Sequence, residues 1–213
     1  MAHIPSLTAG DTPLIADRIL RAAGTAQRFM VAIAGPPGAG KSTISAALVE
    51  VLQLRQQRAA VVPMDGFHFD DSVLIARGHR ARKGAAFTFD CAGFEVLLKR
   101  IRCREPDVAI PVFDRSLELS RAAAAVVDAD TRIVLVEGNY LLLSEAPWSR
   151  LYELFDYRIA IDVPLAELQR RLLQRIQSHG FTPEHAQNWI AGNDLPNIRH
   201  VQTSSVQPDL IVR

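Results

Sequence analysis

The segment Gly35-Pro-Pro-Gly-Ala-Gly-Lys-Ser42 constrains this chain more than any other, because it fulfils the GxxxxGK[ST] pattern in full. Its four fixed positions would recur by chance in about one chain in a hundred of this length. The surroundings narrow that further. Phe29–Ala34 is an apolar run leading into the motif, and the residues after Lys41 set Ile44, Ala47, Leu48, Val51 and Leu52 on one helical face. A strand feeding a glycine-rich turn that opens a helix lets backbone N–H groups close around phosphates, aided by the positive end of the helix. The pattern predicts a nucleotide cradle at Gly35, Pro36, Pro37, Gly38, Ala39, Gly40, Lys41, Ser42 and Thr43. Lys41 would reach the β- and γ-phosphates of ATP, and the Ser42 hydroxyl would bind Mg2+.

The rest of the chain supplies the elements such a cradle needs. Apolar runs at Phe29–Ala34, Ala59–Pro63, Ile133–Val136 and Tyr157–Val163 read as strands. Amphipathic helices are predicted over Thr12–Ala23, from about Lys41, around Phe94–Ile101 and from Pro164 to Gly180. Thr182-Pro183-Glu184 opens one more helix, with threonine as cap and proline at the first helical position. Ala109–Phe113 and Ala122–Val127 read as strands or strand edges, Asp70–Phe89 as loop with short helical pieces, and Asp209–Val212 as a last short strand. Alternating strands and helices imply a parallel sheet covered on both faces. The expected fold is an α/β P-loop NTPase, a three-layer α/β/α sandwich with a mostly parallel sheet and a small helical lid. Residues 1–213 show no repeat, low-complexity tract or long linker, so one domain is expected, with the lid over about 168–185.

Composition excludes several classes. The formal net charge of the 213 residues is +1, which gives no field for nucleic acid or a membrane surface. Cys91 and Cys103 form no CxxC or His/Cys metal spacing and read as reduced thiols. The start lacks a charged segment followed by an apolar one, and no apolar run is long enough to span a bilayer. A cytoplasmic protein is expected, acting on a small molecule, with a homodimer possible.

The loop alone does not separate P-loop classes. The chain contains neither the guanine-reading NKxD nor the LSGGQ of transporter ATPases. Two strand-end carboxylates point instead to a small-molecule kinase. Val62-Pro-Met-Asp65-Gly-Phe-His68 puts Asp65 at the carboxyl end of a strand, the usual ligand crevice of an open α/β sheet. There it could accept the proton of an attacking hydroxyl, although an Asp-Gly turn with a solvated aspartate gives the same pattern. Ile133–Val136 delivers Glu137, well placed to hold magnesium, the alternative being a structural ion pair. On the Pro164–Gly180 helix, Arg171 and Arg175 are four residues apart and share a face. They could close over phosphates and stabilise spreading charge, or form a solvated face, whereas Arg170 points elsewhere.

These residues together resemble the uridine kinase, pantothenate kinase and phosphoribulokinase group of P-loop kinases. The chain is similar in particular to bacterial proteins described as fructose-transport-system kinases or nucleoside/nucleotide kinase family proteins. The resembling segments are Gly35–Ser42, Val62–His68, Arg82–Asp90, Pro111–Ser116, Val136–Leu143 and Leu172–Asn197. The resemblance implies that Asp65 is the catalytic base, also near the metal, and that Glu137 and Ser42 bind magnesium. It places the lid's phosphate-binding arginines on Arg171 and Arg175. It further implies that Phe89, Asp90, Phe113, Asp114 and Arg115 face the acceptor, with Lys41 joining Asp65 and the arginines in transfer. His68, beside Asp65, could hydrogen-bond the acceptor or be a packed structural histidine. Asp90 fits an N-cap of the following helix equally well, and Asp114 a tight turn after a strand.

Asp65-Gly-Phe-His stands where uridine kinases place a serine or threonine and a tyrosine, and the substrate segments of pantothenate kinases are missing. The expected activity is ATP- and magnesium-dependent transfer to a hydroxyl of a small metabolite, a sugar or sugar-containing compound. A nucleoside or pantothenate-type kinase is the alternative within the class. A regulatory ATP-binding module is the alternative outside it.

Overall fold

The strands ending at Ala34, Gly138 and Ile161 close on or run into a glycine or an acid, and the parallel sheet gathers those ends along one edge. The computed structural model describes residues 4–178 and 180–213. In chain order the elements are β1 (Ser6–Leu7), α1 (Thr12–Ala23), β2 (Phe29–Ala34), α2 (Lys41–Leu54), β3 (Ala59–Pro63), α3 (Asp71–Ala76) and α4 (Cys91–Arg102). There follow β4 (Val108–Asp114), β5 (Leu119–Val127), β6 (Ile133–Gly138), β7 (Tyr157–Ile161), α5 (Leu165–Ser178), α6 (Pro183–Trp189), α7 (Leu195–Ser204) and β8 (Leu210–Val212).

Six strands form one sheet in the order β1-β8-β7-β2-β6-β3, and every pairing within it is parallel. β2 and β6 are buried along their whole lengths, as central strands covered on both faces must be. The alternation along β2 divides the core in two. Met30, Ala32 and Ala34 face a layer built from Phe94, Leu98 and Ile101 of α4, with Tyr140 and Trp148. Val31 and Ile33 face Ile15 and Ile19 of α1, Leu48 and Leu52 of α2, and Leu168 and Leu172 of α5. This is the three-layer α/β/α arrangement the periodicity predicts.

β4 and β5 leave the main sheet and form an antiparallel hairpin of their own. The hairpin reaches the end of β3 because Gly66 has no side chain: a Cβ there would lie 2.3 Å from the carbonyl oxygen of Pro111. Gly138 has the same role at the end of β6, where a Cβ would lie 2.5 Å from that of Met64. The first approach brings the hairpin to the end of β3, and the second brings the ends of β3 and β6 together.

Two features were not predicted from sequence. β1 is a two-residue edge strand, and the helical arm after Thr182 does not stop at Trp189. It continues through a π-helical segment, Ile190–Asp194, into α7. Leu195 N–H bonds back to the Ile190 carbonyl, five residues earlier. Pro196 has no N–H to offer Gly192 in the ordinary α pattern, which explains why the widening falls here. Among the described residues no helix is long and apolar enough to cross a membrane.

Candidate functional site

The phosphate loop opens directly from β2 at Gly35 and closes onto the first turn of α2. Gly40, with φ of 91°, occupies the left-handed conformation that starts the helix. Lys41 Nζ donates to the Pro36 carbonyl at 3.2 Å and to Asn139 Oδ1 at 2.6 Å. Burial pulls the Lys41 ammonium below the usual lysine range, against the opposing pull of Glu137 and Asp65. An anionic ligand in the loop would relieve that cost.

The parallel register sets Glu137 beside Ile33 of β2 and Pro63 of β3. Its carboxylate accepts a hydrogen bond from Ser42 Oγ at 3.0 Å. Glu137 is 6% exposed, and burial, reinforced by the nearby Asp65 charge, raises its pKa against the pull of Lys41 and the Ser42 hydroxyl. Asp65 sits two residues beyond the end of β3 in a 3-10 turn, Met64–Phe67. Its Oδ2 accepts from Arg115 Nη2 at 2.9 Å.

His68 follows in the same turn, with Nδ1 2.9 Å from the Asp65 carbonyl. A carbonyl only accepts, so Nδ1 carries the proton and Nε2 keeps its lone pair. Burial holds the His68 pKa below the usual histidine range, with Asp65 pulling the other way. The ring lies 3.9 Å from that of Phe89 and 4.9 Å from that of Phe113, centroid to centroid. Lys83, 8% exposed, stands 5.4 Å over the Phe113 ring and pairs with Asp71 at 2.7 Å.

A single cleft of about 930 Å³ runs past all of these groups. It takes in the loop from Pro37 to Thr43 (Ala39 apart), together with Asp65, His68, Phe89, Phe113, Arg115 and Glu137. Arg171 and Arg175 of α5 also line it. Arg171 lies against the loop, with Nη1 3.4 Å from the Gly38 carbonyl, and is held by Glu167 at 2.7 Å. Arg170 turns away to Glu167 and Gln174, as its position on the helix implies.

Two acceptor-facing candidates do not line the cleft. Asp90 caps α4, accepting from Gly93 N–H at 2.9 Å. Asp114 folds onto the turn after β4, accepting from Ser116 N–H and Oγ and from Leu117 N–H, and meets Arg121 at 3.3 Å. Local backbone donors engage Oδ1 of each carboxylate.

In their place the fold brings in residues that sequence reasoning missed. Asn139 is the partner of Lys41. Asn193 and Asn197, one helical turn apart, meet Arg82 at 3.2 Å each, and Asn193 Nδ2 donates to the Lys83 carbonyl at 2.7 Å. Asp194 lies between them in sequence and lines the cleft. Polar residues four apart inside an apolar helical stretch were the available signal.

The profile of the Phosphoribulokinase / Uridine kinase family matches residues 30–212. The chain is 36% identical over 188 residues to the uncharacterized protein YggC of Escherichia coli strain K12, covering 87% of this chain and 78% of that one. It is 33% identical over 198 residues to a provisionally named uridine kinase, C227.14, of Schizosaccharomyces pombe, covering 88% and 83%. Among solved structures, a provisionally named fructose transport system kinase from Silicibacter sp. TM1040 superposes with a TM-score of 0.89 at 38% identity, covering 94% of this chain and 98% of that one. A phosphate loop with two strand-end carboxylates beside it, on a chain matched almost throughout, places this protein in the phosphoribulokinase/uridine kinase family of P-loop kinases.

Proposed function

We propose that the protein transfers the γ-phosphate of ATP, with magnesium, onto a hydroxyl of a small metabolite, a sugar or sugar-containing compound. The observation that carries this reading is the convergence of Asp65 and Glu137 on the cleft that also holds Lys41. A site for nucleotide binding alone needs no base at that position, whereas transfer to a hydroxyl does.

Lys41, the loop amides, Arg171 and Arg175 surround the position of the phosphates and neutralise charge spreading over the transferred group. The residues fit a magnesium ion: Glu137 is a buried carboxylate short of compensating charge, and it is already bonded to the Ser42 hydroxyl. Ser42 and Glu137 would hold the ion, with Asp65 near its water shell, and the ion would offset negative charge between the phosphates. Asp65 holds the acceptor hydroxyl and takes its proton, once Arg115 has moved from it to the ligand. His68, Phe89 and Phe113 form an apolar wall with one ring nitrogen lone pair, which suits a sugar ring. In this reading residues 1–213 act as one kinase domain, and the arm over about 168–185 is the lid that excludes water.

Transfer of label from γ-labelled ATP to a panel of sugars, nucleosides and vitamin precursors tests the proposal. A labelled acceptor that disappears in Asp65→Asn supports it. Slow phosphate release with no labelled acceptor argues against it.

A further inference from the structure

Asp194 has no task in the transfer described above, yet it is a carboxylate 6% exposed on the wall of the cleft. Its Oδ2 is buried and has no hydrogen-bond partner among the described residues. Burial without a partner is costly for a carboxylate, and native proteins rarely leave such a group idle. Its neighbours are already committed. Asn193 is tied to Lys83 and Arg82, and Asn197 to Arg82. The π-helical widening at Ile190–Asp194 is a distortion of the kind found often at functional sites.

The surroundings decide which ligand chemistry fits. Arg175 supplies the positive charge that Asp194 feels, and burial raises the Asp194 pKa to about 6 against that pull. Arg175 already supplies positive charge here, which leaves no need for a ligand cation and would repel one. A ligand carboxylate would meet Asp194 itself. A neutral hydroxyl suits the charge and would give Oδ2 the donor it lacks.

We propose that Asp194 Oδ2 is the hydrogen-bond acceptor of an acceptor-binding subsite, and that it takes a hydroxyl of a polyol or sugar-like ligand. This subsite rests on the kinase reading above, since it binds a second hydroxyl of the molecule that Asp65 deprotonates. Asp194 is a binding residue and takes no part in moving the proton or the phosphoryl group.

The test measures transfer from ATP to D-fructose, D-ribose, uridine, D-glycerate and pantothenate by wild type, Asp194→Asn and Asp194→Leu. Binding of the analogue AMP-PNP is measured alongside. For the probe phosphorylated by wild type, Asp194→Leu should raise KM about tenfold or more, with Asp194→Asn between. Affinity for AMP-PNP and kcat should stay within about threefold. The thermal midpoint of the unliganded variants at neutral pH should not fall, because an unpaired buried charge is removed. Wild-type transfer with an unchanged KM in Asp194→Leu overturns the subsite alone, as does an equal loss of AMP-PNP affinity. Wild-type protein that binds AMP-PNP but phosphorylates none of the probes overturns the kinase reading and the subsite with it.

Discussion

Arg115 Nη2 lies 2.9 Å from Asp65 Oδ2, so the hairpin formed by β4 and β5 reaches across the sheet edge to the strand-end acid. The pair is half open to solvent, with side chains 51% and 26% exposed, and is therefore weak enough to part when a ligand enters. Arg115 engages only Oδ2 of the carboxylate.

Asp65→Asn should lower kcat for the true acceptor by about 10²–10⁴-fold, the usual contribution of a general base. AMP-PNP affinity, measured by calorimetry, should remain near that of wild type. Near-normal turnover in the variant would remove Asp65 from the chemistry.

Asp90→Ala should cost about 1 kcal/mol of stability, because it removes the cap on α4 and leaves the Gly93 N–H without its partner. Denaturant unfolding reads that loss. The KM for the acceptor should be unchanged, since Asp90 does not line the cleft.

Asp194 gives stability a pH dependence of definite sign. Its folded pKa, about 6, lies above the ordinary 3.8. Between these values the unfolded carboxylate is ionised while the folded one keeps its proton, so stability falls as pH rises. The loss amounts to about 3 kcal/mol by neutral pH and then levels off. Glu137 contributes in the same direction, so the comparison must be with Asp194→Asn. Unfolding curves from pH 4 to 7 should show the variant gaining on wild type as pH rises. Parallel curves would mean that Asp194 ionises normally in the fold.

Gly66→Ala should be strongly disruptive for its size. The added methyl would meet the Pro111 carbonyl oxygen at 2.3 Å, a backbone atom that cannot swing aside, and the hairpin would have to move. A cost of about 1–3 kcal/mol is expected. Turnover should fall as well, because the same displacement shifts Phe113 and Arg115 of the cleft wall relative to Asp65. Thermal unfolding and steady-state kinetics together check both effects.

Local pattern was enough for much of the site. The apolar runs of β2, β3 and β6, the glycine turn into α2, and the acids closing β3 and β6 are all short-range features, so Lys41, Ser42, Asp65 and Glu137 were legible. Helical spacing set Arg171 and Arg175 on one face, and both line the cleft. Asp90 and Asp114 were legible only as carboxylates near the right segments. Whether each faced a ligand or a nearby N–H depended on turn geometry that residue identity does not fix.

The sequence by itself determined the three-layer plan and the phosphate loop, because strand and helix periods and the glycine turn are written within a few residues of one another. Tertiary structure alone decided the acceptor side of the cleft. Asn193 and Lys83 are 110 residues apart, and Arg115 and Asp65 are 50 apart. Asp194 became an unpartnered acid in a cleft only when α6, the π segment and α7 packed against α5 and the Arg80–Arg82 turn. Burial and the loss of competing water, which no local pattern records, gave that carboxylate its character.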